Sequence, residues 1–140
     1  MDSDMWPRIH GAAVHFPIAL VLLAFAFEAA GYLFPRLAGR LGLGAAGFWA
    51  MLAGAAGTVP AVVSGLVMTR GTVLGHDALR RHHLFAWPAF ALIMGAAAWR
   101  LLHGASQVDR PPLGYVLAVG VAAVLVSAAG YWGGELIIGP

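Results

Sequence analysis

Six histidines give this 140-residue chain its widest chemical range, and they are unevenly spaced. His10 and His15 stand near the start. His76, His82 and His83 crowd a short stretch past the middle, and His103 stands apart. Histidine is the commonest protein metal ligand and the usual axial ligand of a non-covalently held haem. The chain has no cysteine. Disulfides, thiolate zinc sites, iron–sulfur clusters and covalent haem attachment are therefore excluded, whereas a haem held by imidazoles alone is not. No nucleophile–base pair suggests hydrolysis, and no glycine-rich loop is present to cradle phosphate.

The charged residues are few and add to the pattern. All eight basic residues are arginine. Arg70, Arg80 and Arg81 flank the second histidine group, and a guanidinium pairs well with carboxylates such as haem propionates. Glu28 stands in an apolar stretch, where an unpartnered carboxylate is costly. It is expected to face the interior, against Arg100 or another polar group. Glu135 follows Gly133 and Gly134, and could pair with Arg80 or accept a histidine N–H. Ser64, Ser127, Thr58 and Thr69 read as ordinary helix hydroxyls.

These residues must be positioned by membrane-spanning helices. The chain is 61% hydrophobic and only 10% charged, with a mean hydropathy of +0.82. Residues 9–27, 41–69, 82–99 and 111–134 contain no Asp, Glu, Lys or Arg. A helix crosses a hydrocarbon core with about 20 apolar residues. Four spans follow, at about 12–34, 43–68, 80–102 and 113–137. Helices satisfy their own backbone within the bilayer, and strand-like alternation is absent. The connections are short, so the expected fold is an all-α integral membrane four-helix up-down bundle, a single transmembrane domain over 1–140. The first apolar run exceeds the 7–15 residues of a signal-peptide core, so it reads as a retained span. No loop has room for a nucleic-acid platform. The positive-inside count is tied. Arg8, Arg70, Arg80 and Arg81 lie toward one side, and Arg36, Arg40, Arg100 and Arg110 toward the other.

This topology puts five histidines at one end of the bundle. His15 lies about one turn inside the first span, and His82 and His83 open the third. Both spans begin on the same side, so these side chains can meet at similar depth. His10 and His15 are about 140° apart on a helix and do not share a face, which places His10 at the interface or in a cap. His76 falls in the second connection, and His103 at the far end. In the second span, Gly57, Ala61 and Gly65 form a small-residue stripe, as do Ala46, Ala50 and Gly54. Such stripes allow close helix packing or leave a groove for a flat cofactor. Pro17, Pro60 and Pro88 are expected to loosen three of the spans.

The segment Arg8-Ile9-His10-Gly11-Ala12-Ala13-Val14-His15-Phe16-Pro17-Ile18-Ala19-Leu20 resembles the opening of a bacterial family of predicted four-helix integral membrane proteins of unknown function. That family opens with His-Pro followed by Val-His-Phe-Pro-Ile-Ala-Leu. The spacing of His10 and His15 matches, with Gly11 where proline is usual. Further similarities are Glu28, the Ser64-Gly65-Leu66 end of the second span, Arg80-Arg81-His82, and Tyr131-Trp132-Gly133-Gly134-Glu135-Leu136. The resemblance implies the fold and marks His15 and His82; it does not itself imply haem.

Three functional expectations follow from the residues. The first is a b-type haem subunit of the bacterial inner membrane, ligated by His15 and by His82 or His83. Arg70, Arg80 and Arg81 would face its propionates. It would pass electrons between the quinone pool and a partner protein. The second is a non-redox scaffold or anchor, packed against other membrane subunits or further copies of itself. The third is a copper or zinc site built from His10, His76, His82 and His83.

Overall fold

Four long helices account for nearly all of the chain, each formed where charge is scarce and apolar residues run without alternation. The computed structural model describes residues 5–104 and 110–138. The helices in chain order are α1 (Met5–Leu33), α2 (Pro35–Leu41), α3 (Leu43–Met68), α4 (Asp77–His103) and α5 (Leu113–Ile138). All but α2 are long and apolar enough to cross a membrane. They form the expected up-down bundle. Pro17, Pro60 and Pro88 lie inside helices that continue through them.

Two features depart from the expected boundaries. The first helix starts at Met5, well before residue 12, so His10 is helical and not in a cap. The connection between the first two long helices contains α2, which begins at a proline, where a missing N–H is harmless. It ends at Gly42, whose φ of 67° turns the chain directly into α3.

The long helices pack as two hairpins. The α1–α3 and α4–α5 interfaces are the most extensive, and α1–α5 and α3–α4 close the ring. At its centre lie Val21, Ala24, Met51, Ile93, Val119 and Ala122, all fully buried. Many core residues are alanine, which lets the backbones approach closely. Glycines do the same on α3 and α5. A Cβ at Gly54 would meet Val21, one at Gly57 would meet Phe16, and one at Gly120 would meet Phe25. The outer surface is apolar, with Leu22, Leu23, Trp49, Leu117 and Val124 exposed, as suits a surface facing acyl chains.

Candidate functional site

At the end where α1 and α4 begin, the four long helices part around a cavity of about 350 Å³. That volume lies within the roughly 300–1,000 Å³ typical of small-molecule sites. Its lining is mostly apolar, and the exceptions are informative. His10 and His15 reach it from α1, and His82 and His83 from α4. Small residues make the space: Ala61 and Gly65 on α3, and Ala129, Gly130 and Gly133 on α5. On α3, Gly54 and Gly57 pack against α1, while Ala61 and Gly65 border the cavity.

Each histidine is held differently. The Nδ1–H of His82 donates to the Ala129 carbonyl at 2.8 Å. The Nδ1–H of His15 donates to the Gly11 carbonyl one turn earlier in α1. A carbonyl can only accept, so Nδ1 must carry the proton in both rings. In the neutral imidazole this leaves Nε2 as the lone-pair nitrogen. Metal-bound histidines are usually oriented by such a contact at the other ring nitrogen. His83 differs, because it is buried and its Nδ1 has no hydrogen-bond partner among the described residues. Its ring lies 6.0 Å from that of Trp87.

His15 and His82 also lie at one level in the bundle. A Cβ on Gly133 would meet His82 Nδ1 at 3.3 Å, and one on Gly130 would meet Ile18 Cδ1 at 3.0 Å. Helices α1 and α5 run antiparallel with the same rise per residue. Three residues back from Ile18 on α1 is His15, and three on from Gly130 on α5 is Gly133. His15 thus shares the depth of Gly133, and so of His82.

The expectation for His10 is corrected. It does not cap the helix, which begins at Met5; its Nδ1 lies 3.0 Å from Ser64 Oγ, and it borders the cavity. Ser64 Oγ–H donates to the Ala61 carbonyl at 3.0 Å, so its oxygen is free to accept the imidazole N–H. His10 and His15 stand about 140° apart on α1 and do not share a face. A cavity enclosed by four helices is bordered by a wide arc of each, so both residues reach it. Ser64 is thus a positioning residue and not an ordinary helix hydroxyl, and Ala129 contributes only its carbonyl. Neither role has a sequence signal, because each depends on the opposing helix.

The remaining expected participants lie elsewhere. Arg70, Arg80 and Arg81 are exposed at this end and do not line the cavity. Arg81 Cζ instead lies 4.4 Å from the Trp132 ring centre. Glu135 is exposed and pairs with no arginine among the described residues. His76 is exposed immediately before α4. Among the described residues, no group of three or more His, Asp or Glu side chains could hold a metal ion. This leaves the expected copper or zinc site of His10, His76, His82 and His83 without support. Trp87 borders the cavity and donates its Nε1–H to the Val73 carbonyl at 2.7 Å, tying the α3–α4 connection to α4.

The opposite end is polar in another way. Glu28 faces inward as expected, and Arg100 Nη2 lies 3.1 Å from its Oε1. The same Nη2 donates to the Gly44 carbonyl at 2.8 Å. A Cβ at Gly47 would fall 2.9 Å from Glu28 Oε1, so the glycine makes room for the carboxylate. His103 is exposed and stacks on Trp99 with ring centres 4.1 Å apart.

No curated relative and no solved structure matches the chain. A family model described as "Predicted membrane protein (DUF2231)" matches residues 7–139, which takes in all four long helices and all six histidines. The chain therefore belongs to the DUF2231 family of membrane proteins.

Proposed function

We propose that this protein is a b-type haem subunit of the bacterial inner membrane, with His15 and His82 as the axial ligands. One observation carries the reading. Two imidazoles on different hairpins line one cavity at the same end of the bundle, each with its Nδ1–H held by a backbone carbonyl. That is the donor set a bis-histidine haem requires. The apolar lining and the small residues of α3 and α5 suit a flat, largely apolar group. His82 is preferred to His83 because its ring is oriented by the Ala129 carbonyl, whereas the His83 Nδ1 has no partner among the described residues.

When bound, the haem supplies a reversible one-electron couple. His15 and His82 would hold the iron through their imidazoles, and two such ligands would favour electron transfer over oxygen chemistry. The mostly apolar lining would border the ring, while His15 is itself exposed at the surface of the bundle. The quinone pool and a partner protein are the proposed electron donor and acceptor. Exposed Arg70, Arg80 and Arg81, at the same end as the histidines, are the proposed source of positive charge for the propionates.

The test is an optical spectrum of the purified protein, oxidised and dithionite-reduced. The wild type and His83→Ala should show a sharp reduced α-band. His15→Ala and His82→Ala should lose it, and His103→Ala should keep it. Haem-free protein from a haem-replete host would overturn the reading and leave the scaffold or anchor role in its place.

A further inference from the structure

The polar contacts of the bundle are distributed unequally between its two ends. At the far end they cross from one hairpin to the other. Arg100 on α4 meets Glu28 on α1 at 3.1 Å and the Gly44 carbonyl on α3 at 2.8 Å. Its Cζ lies 5.9 Å from the Phe48 ring centre, also on α3. Arg110, just before α5, lies 5.0 Å from the ring of Tyr32 on α1. At the histidine end the polar contacts among the described residues stay within a hairpin. His10 bonds Ser64 across α1–α3, and His82 bonds Ala129 across α4–α5. Arg81 and Trp132 also share the α4–α5 hairpin.

Only two other polar contacts among the described residues leave a hairpin. Thr58 Oγ1 approaches Met94 Sδ at 3.9 Å, a weak contact at mid-height. Trp87 bonds Val73, which lies in the covalent connection between the hairpins. That connection, residues 69–76, tethers α3 to α4 but does not clamp them. It includes Arg70, Gly71 and Gly75 at positive φ, followed by Asp77. The cavity lies between the hairpins at this same end, and the interfaces within each hairpin are more extensive than those between them.

We infer that the two hairpins hinge about the Glu28–Arg100 contact, opening and closing at the histidine end to load and hold the occupant of the cavity. Hinge closure around a ligand is a common switching geometry. Here its physical basis is a buried ion pair at one end and, among the described residues, apolar packing with no polar bridge at the other. His15 belongs to one hairpin and His82 to the other. An occupant bound by both supplies the missing cross-link and shifts the population toward the closed form. The identity of that occupant rests on the haem reading; the hinge itself does not.

The absence of native cysteine allows clean paired labelling. Ile9 and Leu84 are exposed on opposite hairpins at the histidine end, and Leu33 and Leu102 at the other. Spin labels at Ile9→Cys/Leu84→Cys and at Leu33→Cys/Leu102→Cys would be measured by pulsed electron resonance in lipid nanodiscs. In ligand-free protein the first pair should show a distance distribution at least about twice as wide as the second, the signature of a two-state opening. Equal widths would overturn the hinge. Diamagnetic cobalt(III) protoporphyrin, which takes two imidazoles, its binding followed by its own absorption, should narrow the first pair and leave the second unchanged. Bound porphyrin with no narrowing would also overturn it. Failure of the haem reading is scored separately, by the missing α-band, and leaves the ligand-free comparison decisive.

Discussion

Arg100 is fully buried, and Glu28 is 2% exposed. Each is tolerable only because of the other, since an isolated charge in an apolar interior is heavily penalised. Arg100→Met strands the carboxylate and should destabilise the protein by about 3–5 kcal/mol. Glu28→Gln keeps an oxygen facing the guanidinium and should cost less. The double variant Glu28→Met/Arg100→Met removes both charges and should recover most of the loss, because apolar replacement of a whole buried pair is often neutral. Thermal unfolding in detergent, run as a double-mutant cycle, measures all three. Additive single losses would show that the pair is not coupled. This partnership was legible in the sequence, because a lone carboxylate in an apolar helix demands a partner and few are available. The Gly44 carbonyl and the space beside Gly47 were not, since they depend on how closely α3 approaches α1.

The long helices were largely legible because charge marks most of their ends: α3 keeps the expected bounds, whereas α4 begins at Asp77 and not at 80. The start of α1 was not legible: hydropathy registers where the hydrocarbon core begins, whereas a helix can run on into the interface. That difference moved His10 from a presumed cap into the cavity. The short α2 was also missed, because its seven residues carry two arginines and no sustained apolar pattern. Register between helices is a further property that one sequence hides, and glycines reveal it only in the structure. Gly133 matters most here, because it faces His82 directly. A Cβ at 3.3 Å from Nδ1 is tight, and a branched side chain cannot be accommodated without moving the imidazole. Gly133→Val should therefore push His82 off the Ala129 carbonyl and lower the haem-to-protein ratio severalfold. Gly134→Val is the control, because a Cβ there meets nothing within 4 Å. Pyridine haemochrome assay against total protein reads both, and equal loss from the two variants would show that His82 positioning is not the cause.

At the scale of the whole molecule, topology follows from element count and the shortness of the connections. Four antiparallel spans return the chain to the side on which it began. The connection carrying Leu74 then lies on the same side as Met5 and Leu136, and α2 with Leu37 lies on the other. This arrangement puts His15 and His82 at the same end of the bundle, where both line the cavity, because α1 and α4 begin on the same side. The prediction is checked by single cysteines in the native cysteine-free chain, at Met5→Cys, Leu74→Cys, Leu136→Cys and Leu37→Cys. All four positions are exposed. A membrane-impermeant maleimide applied to one face of sealed vesicles should label the first three alike and Leu37→Cys in the opposite sense. Permeabilisation should make all four reactive, which separates a true side difference from local shielding. Labelling of Leu37→Cys and Leu74→Cys from the same face would break the up-down topology, and with it the shared end of the bundle on which the two-histidine site depends.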